Sequence, residues 1–261
     1  MTHRWSLFVV GCLFTACPRP VSPGYGRWRG EQEKVACVEA LNRSDAASAD
    51  RACKLGLEFT PDDADLWVNL GLVRELQTRN AEAYDCFVKA IHLRPDSYQA
   101  FNNLALLDQG RGNFKAAETH FSAALTILPD FNEARLNLGA LLVKARRRSE
   151  AREAFEVVAH VNPRLTAPHK WLAFLALEDH APDVAATELE VASRLDADDL
   201  EVWSNLGLAY LGLARFADAA AAYRACLSLA PGTVSCQLGL VQANNRSAAM
   251  PPDVTPPSRR P

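Results

Sequence analysis

The residues of this chain able to do covalent or metal chemistry are few and widely spaced. Seven cysteines and six histidines stand among 261 residues. Thiols ligate metals, act as nucleophiles, accept lipid or pair as disulfides, and imidazoles ligate metals or move protons. Neither set has the spacing that metal or acid–base chemistry needs. There is no Cys-x-x-Cys, no His-Glu-x-x-His, no phosphate-binding glycine loop and no GxGxxG behind a strand pattern. His92, His120, His160, His169 and His180 are spread along the chain, and carboxylates such as Glu188 and Glu190 fall on polar helix faces. The expectation is no catalytic residue, no metal and no cofactor. A net charge of −3 gives no reason to expect nucleic acid. What remains is cysteine chemistry and recognition, and both depend on the elements that place the side chains.

Those elements repeat. The stretch from Asp65 to Pro95 reads as two short amphipathic helices around a polar turn at Thr78-Arg79-Asn80, and its neighbours recur at a spacing of 34 residues. With Ala64 as position 1, position 7 is Leu70, Leu104, Leu138, Leu172 and Leu206. Position 8 is always small: Gly71, Ala105, Gly139, Ala173 and Gly207. Position 20 is alanine at Ala83, Ala117, Ala151, Ala185 and Ala219. Position 24 is large and apolar at Phe87, Phe121, Phe155, Leu189 and Tyr223, and position 32 is proline except at Ala197. Small residues let two helices cross closely, a large one fills the space beside the crossing, and proline stops the second helix. A lone hairpin of this kind cannot bury its apolar face, so the copies must stack.

These columns resemble the tetratricopeptide (TPR) repeat, W-x2-L-G-x2-Y, then A-x3-F, then P. The resemblance implies an all-α, right-handed superhelical solenoid of about six helix-turn-helix repeats with a C-terminal capping helix. The repeats are expected at 30–63, 64–97, 98–131, 132–165, 166–199 and 200–233, with the cap at 234–243 and a proline-rich, disordered tail at 244–261. In TPR arrays the first helices line a concave groove. Carried over, the groove-facing residues are Val68, Asn69 and Leu72; Asn102, Asn103 and Leu106; and Leu136 and Asn137. Lys170, Trp171 and Phe174, then Asn205 and Leu208, complete the set. The asparagines suit either a ligand backbone or an adjacent helix. Trp171 with Phe174 suits a hot spot, or Trp171 packs between repeats because His169 fills its place poorly. The sequence leaves both open.

The first residues read differently. Met1 to Arg4 is a short basic start and Trp5 to Ala16 is apolar, too short to span a bilayer but the length of a signal-peptide core. Leu13-Phe14-Thr15-Ala16-Cys17 resembles the lipobox of bacterial lipoproteins, with Phe14 where leucine is commoner. That resemblance implies a signal peptide at 1–16, lipidation (palmitate among the acyl chains) at Cys17 and, with Pro18 following, the outer membrane. Cys12 is a rival, with a shorter apolar core before it. Residues 17–29 read as a lipidated cysteine and tether, in which Tyr25, Arg27, Trp28 and Arg29 are either solvated or at a membrane interface.

In the first repeat Cys37 and Cys53 stand at positions 8 and 24, where a small and a large residue belong. A Cys37–Cys53 disulfide would replace the missing packing, worth about 3 kcal/mol in the chain-entropy model; the alternative is two buried thiols. Cys226 and Cys236 stand where a bond would fasten the cap to the array, and Cys86 is left over. Disulfides agree with an exported protein.

An exported lipoprotein of about six TPRs looks like the pilotins of the type IV pilus system, the PilF, PilW and Tgl group. The resemblance implies a non-enzymatic scaffold, anchored in the outer membrane and facing the periplasm, that helps a secretin subunit assemble. The alternative is a periplasmic adaptor recruiting cell-wall hydrolases or proteases.

Overall fold

The computed structural model describes residues 23–249, and their regular structure is entirely helical. The described chain divides into two compact units, the first ending at Leu93 and the second beginning at Arg94. In the first, α1 (Pro23–Asn42) pairs with α2 (Ala46–Phe59) and α3 (Ala64–Leu76) with α4 (Asn80–Leu93). In the second, α5 (Tyr98–Gly110) pairs with α6 (Phe114–Ile127), and α7 (Asn132–Lys144) with α8 (Arg148–Val161). The remaining pairs are α9 (Thr166–Glu178) with α10 (Pro182–Leu195) and α11 (Leu200–Gly212) with α12 (Phe216–Leu229), and α13 (Val234–Ala249) ends the array.

Three hairpins close on the same size match. Phe87, Phe121 and Phe155 are fully buried, and where position 8 is glycine the large side chain at position 24 of the same hairpin lies against it. A Cβ added to Gly139 would stand 2.5 Å from the Phe155 ring, and one on Gly207 would stand 2.6 Å from Tyr223. Gly71 is closed by Phe87 in the same way. Burial of each such ring contributes roughly 1.5–3 kcal/mol. Tyr223 is held from a second side by Gly239 of α13, which is how the last helix covers the array.

The turn between paired helices is also one device used six times. Ser44, Thr78, Gly112, Arg146, His180 and Ala214 all have φ between 56° and 79°. The next amide reaches back to the first helix, as Arg79 N–H does to the Arg74 carbonyl at 2.8 Å and Arg147 N–H to Leu142 at 2.9 Å. This is the Schellman closure, which satisfies carbonyls left over at a helix end. Only Gly112 adopts the left-handed conformation free of a Cβ penalty.

The first unit has a core that mixes Ala40, Ala49 and Ala52 with Leu66, Leu70 and Val73, and with Cys37, Cys53 and Cys86. Cys37 and Cys53 are bonded across α1 and α2, their Cα atoms 5.2 Å apart. In the second unit Cys226 and Cys236 join α12 to α13 at 6.3 Å. Cys86 is free and buried.

Two segment bounds differ from expectation. The tether expected over 17–29 gives way to helix from Pro23 onward. Proline costs little in a first turn, where its missing N–H would have had no partner. Arg29 then pairs with Glu33 one turn on at 2.7 Å, and Gly30 seats against Thr60, 2.6 Å from where its Cβ would be. At the other end the cap continues to Ala249 rather than stopping at residue 243, because 244–249 holds neither proline nor glycine. Residues 1–22, including Cys17, and 250–261 lie outside the described residues. No described helix is long and apolar enough to cross a membrane.

Candidate protein-interaction site

The thirteen side chains expected to face a groove separate into two kinds. Some are consumed by contacts between successive hairpins. Asn102 is 1% exposed; its amide donates to Glu133 Oε1 at 3.1 Å, and its oxygen accepts from Asn137 Nδ2 at 3.2 Å. Asn102 and Asn103, both buried, therefore belong to the packing between α5 and α7 rather than to an open groove. Val68, in the first unit, is likewise buried, while Asn69 and Leu72 beside it are half-buried.

Lys170 is also committed. Its Nζ lies 2.7 Å from Asp199 Oδ2 and 2.7 Å from Glu201 Oε2. Asp199 uses its other oxygen to cap α11, accepting from the amides of Glu201 and Val202. Burial opposes charge on both groups, yet the facing charges hold the Lys170 ammonium above its ordinary 10.5 and the Asp199 carboxyl below its ordinary 3.8. The first unit repeats this clasp. Lys34 Nζ sits 3.0 Å from Asp63 Oδ2, and Asp63 Oδ1 caps α3. In both, the lysine precedes the capping aspartate by 29 residues. That regularity is readable in the sequence as a lysine 29 residues before an aspartate that precedes a first helix.

A second recurring contact closes the ends of the second helices. Trp67 Nε1 donates to the Pro61 carbonyl at 2.8 Å, Trp203 Nε1 to Ala197 at 2.7 Å and Gln237 Nε2 to Pro231 at 2.9 Å. Arg135 serves Pro129 likewise at 2.6 Å. At the equivalent place His169 instead turns Nδ1 to Glu188 Oε2 at 2.7 Å.

Trp171 is half-buried. Its indole stacks on Phe155 with centroids 5.4 Å apart and planes 3° apart, and it meets Phe174 edge-on at 5.9 Å. It ties α8 to α9, which answers the question the sequence left open in favour of packing. The exposed part of the pair is Phe174, at 41%.

What remains open on the second unit is a row of apolar side chains at position 9. Leu106, Phe174 and Leu208 are exposed, with Leu136, Asn137 and Asn205 half-buried at positions 5 and 6. Leu208 borders a shallow depression of about 420 Å³ shared with Leu177, His180, Pro182 and Gly212. A polar cluster joins α10, α11 and the turn before α12. Tyr210 Oη donates to Glu190 Oε1 at 2.9 Å, and the Arg215 guanidinium lies 4.2 Å over the Tyr210 ring. Burial first, then the hydrogen bond to Glu190, pushes the Tyr210 phenol up to about 12, so it stays a donor.

The exposed side chains of the row suit recognition. Burial pushes the Cys86 thiol up to about 11, leaving it a poor nucleophile at neutral pH. Among the described residues no group of three His, Cys, Asp or Glu is placed to hold a metal. An apolar row flanked by amides fits a segment of another protein.

Two family models, both described as tetratricopeptide repeat, match residues 106–173 and 200–233. Among solved structures, PilF of Pseudomonas aeruginosa superposes with a TM-score of 0.74 at 16% identity, covering 83% of this chain and 99% of that one. PilW, described as a widely conserved type IV pilus biogenesis factor, superposes with 0.70 at 18% identity, covering 81% and 98%. YrrB, a TPR protein described as having an unusual peptide-binding site, matches with 0.58 at 16% identity over 72% and 96%. At such identities these likenesses speak for the fold, a helix-turn-helix solenoid of the tetratricopeptide kind, and the two matched stretches, 106–173 and 200–233, carry tetratricopeptide repeats.

Proposed function

We propose that this protein is a lipid-anchored, non-enzymatic TPR scaffold that assists assembly or localisation of an outer-membrane secretin during type IV pilus biogenesis. The observation that carries this reading is the match to PilF and PilW across nearly the whole of their length. The Leu13–Cys17 motif adds an anchor: signal cleavage after Ala16, acylation of Cys17, and attachment to the outer membrane facing the periplasm. The mechanism is stoichiometric. The lipid brings the array to the membrane, and the Leu106–Phe174–Leu208 face engages an apolar segment of the secretin subunit. Deleting the protein and blotting for heat-resistant secretin multimers tests it. Loss of the multimers is expected; normal multimers would remove the pilotin reading and leave a recruiting adaptor.

A further inference from the structure

Position 13 follows each member of the position-9 column by four residues and so shares its helix face. In the second unit it is Gly110, Lys144, Glu178 and Gly212, and α13 continues it with Arg246. Both glycines leave the apolar row open on this side: a Cβ on Gly110 would meet nothing within 4 Å, and Gly212 borders the depression beside Leu208. Three charges remain. Glu178 is taken by Arg148 at 2.9 Å. Lys144 and Arg246 are exposed, and neither forms an ion pair or side-chain hydrogen bond among the described residues.

At the other end of the same helices position 2 carries the acids Glu133 and Glu201, and both are consumed. Glu133 accepts from Asn102 at 3.1 Å, and Glu201 pairs with Lys170 at 2.7 Å. In these two columns the charge left without a partner is therefore positive, although the whole chain carries −3. A place in the last turn of α7 or α13 favours a cation, because helix C-termini carry partial negative charge. It does not explain why these two lack the carboxylate that Arg147, Arg148, Arg152, Lys170 and Arg215 each have. Charges at the rim of an apolar contact add little raw affinity, but they choose the partner and speed its approach.

We infer that the Leu106–Phe174–Leu208 row selects an acidic amphipathic segment of another protein, its apolar side chains on the row and its carboxylates facing Lys144 and Arg246. The inference rests on the row being the binding surface proposed above, and adds the charge of what it takes. A basic segment would set like charges against one another beside apolar surface and leave both cations unpaired. Lys144 stands one turn beyond Ala140, which lies between Leu106 and Phe174 in the column. Arg246 stands one turn beyond Gln242, which follows Leu208. The two cations thus mark the middle and the far end of the row, and carboxylates at both places fix the register of the segment.

The probe is a pair of dye-labelled helical peptides with the same leucine face, one with glutamate and one with lysine at every polar position. Each is titrated against the full chain by fluorescence anisotropy. The glutamate peptide should bind about fivefold more tightly at low salt, the worth of two exposed ion pairs, and the two affinities should converge at high salt. The net charge of −3 works against that order, so the preference has to come from the row itself. Lys144→Gln with Arg246→Gln should erase the preference with the unfolding transition unchanged, and Phe174→Ala should weaken both peptides alike. A lysine peptide that binds as tightly or more tightly, and is still weakened by Phe174→Ala, overturns the inference and leaves the row standing. Binding of both peptides that ignores Phe174→Ala overturns the row as the binding surface and this inference with it.

Discussion

Trp171 and Phe174 lie one turn apart on α9 and touch; Trp171 stacks on Phe155 while Phe174 stays exposed in the proposed binding row, and truncating each to alanine separates packing from recognition. A fully buried Trp→Ala change costs roughly 3–5 kcal/mol, so half-burial leaves about 2. The parallel stack on Phe155 is lost as well, a contact of the kind that adds roughly 0.5–1.5 kcal/mol. Trp171→Ala should therefore cost about 2–3 kcal/mol in the second unit. Phe174 is 41% exposed and gives up mainly its edge contact with Trp171, so Phe174→Ala should cost about 1 kcal/mol or less. Urea unfolding followed by circular dichroism measures both, and binding to the partner segment is measured on the folded proteins. Phe174→Ala should lose affinity with little loss of stability, and Trp171→Ala should do the reverse. If Trp171→Ala leaves stability within about 0.5 kcal/mol of wild type, the ordinary range for surface positions, the packing assignment is wrong.

Further outcomes follow from the geometry. Gly139→Ala puts a methyl group where only 2.5 Å separates it from Phe155, so it should destabilise by about 1–3 kcal/mol, whereas the same change at exposed Gly110, with open space around its Cβ, should not. Cys86 should resist iodoacetamide in the folded protein at neutral pH and react on unfolding, since burial holds its thiol at about 11; rapid labelling of the folded chain would contradict that burial. The clasp at Lys170 should make stability depend on pH in a defined sense. The raised lysine contributes stability that is complete below 10.5 and is lost as pH rises through the higher folded value. The lowered aspartate contributes stability that is present above 3.8 and lost as pH falls through its lower folded value. The stability gap between wild type and Lys170→Met should thus be widest near neutrality and close at both extremes; a gap constant with pH would show that the ion pair contributes nothing.

The fold was legible because each hairpin needs the same size match, and size is written in single letters. Gly71 against Phe87 and Gly139 against Phe155 recur at one period, and stacking identical hairpins is what that recurrence requires. The candidate site was less legible, for a reason of direction rather than composition. Asn102 and Asn103 are neighbours with the same side chain, and only the backbone decides that Asn102 reaches Glu133. Lys170 looks like a groove cation until Asp199, 29 residues later, is found capping the next helix beside it. Trp171 was ambiguous because its exposure depends on Phe155, contributed by another hairpin. The start of α1 was hidden by glycines at 24 and 26, which weaken helix propensity locally. There the Arg29–Glu33 pair and the seat of Gly30 on Thr60 prevail.

The working surface proposed above is the exposed apolar row on the second unit, Leu106, Phe174 and Leu208. Complementation of a deletion strain with a Phe174→Glu, Leu208→Glu double variant tests it most directly, because both side chains are exposed, at 41% and 51%, and their replacement leaves the core intact. The wild-type gene should restore heat-resistant secretin multimers, and the double variant, at equal abundance and with an unchanged unfolding transition, should not. Full restoration of multimers by the double variant would contradict it.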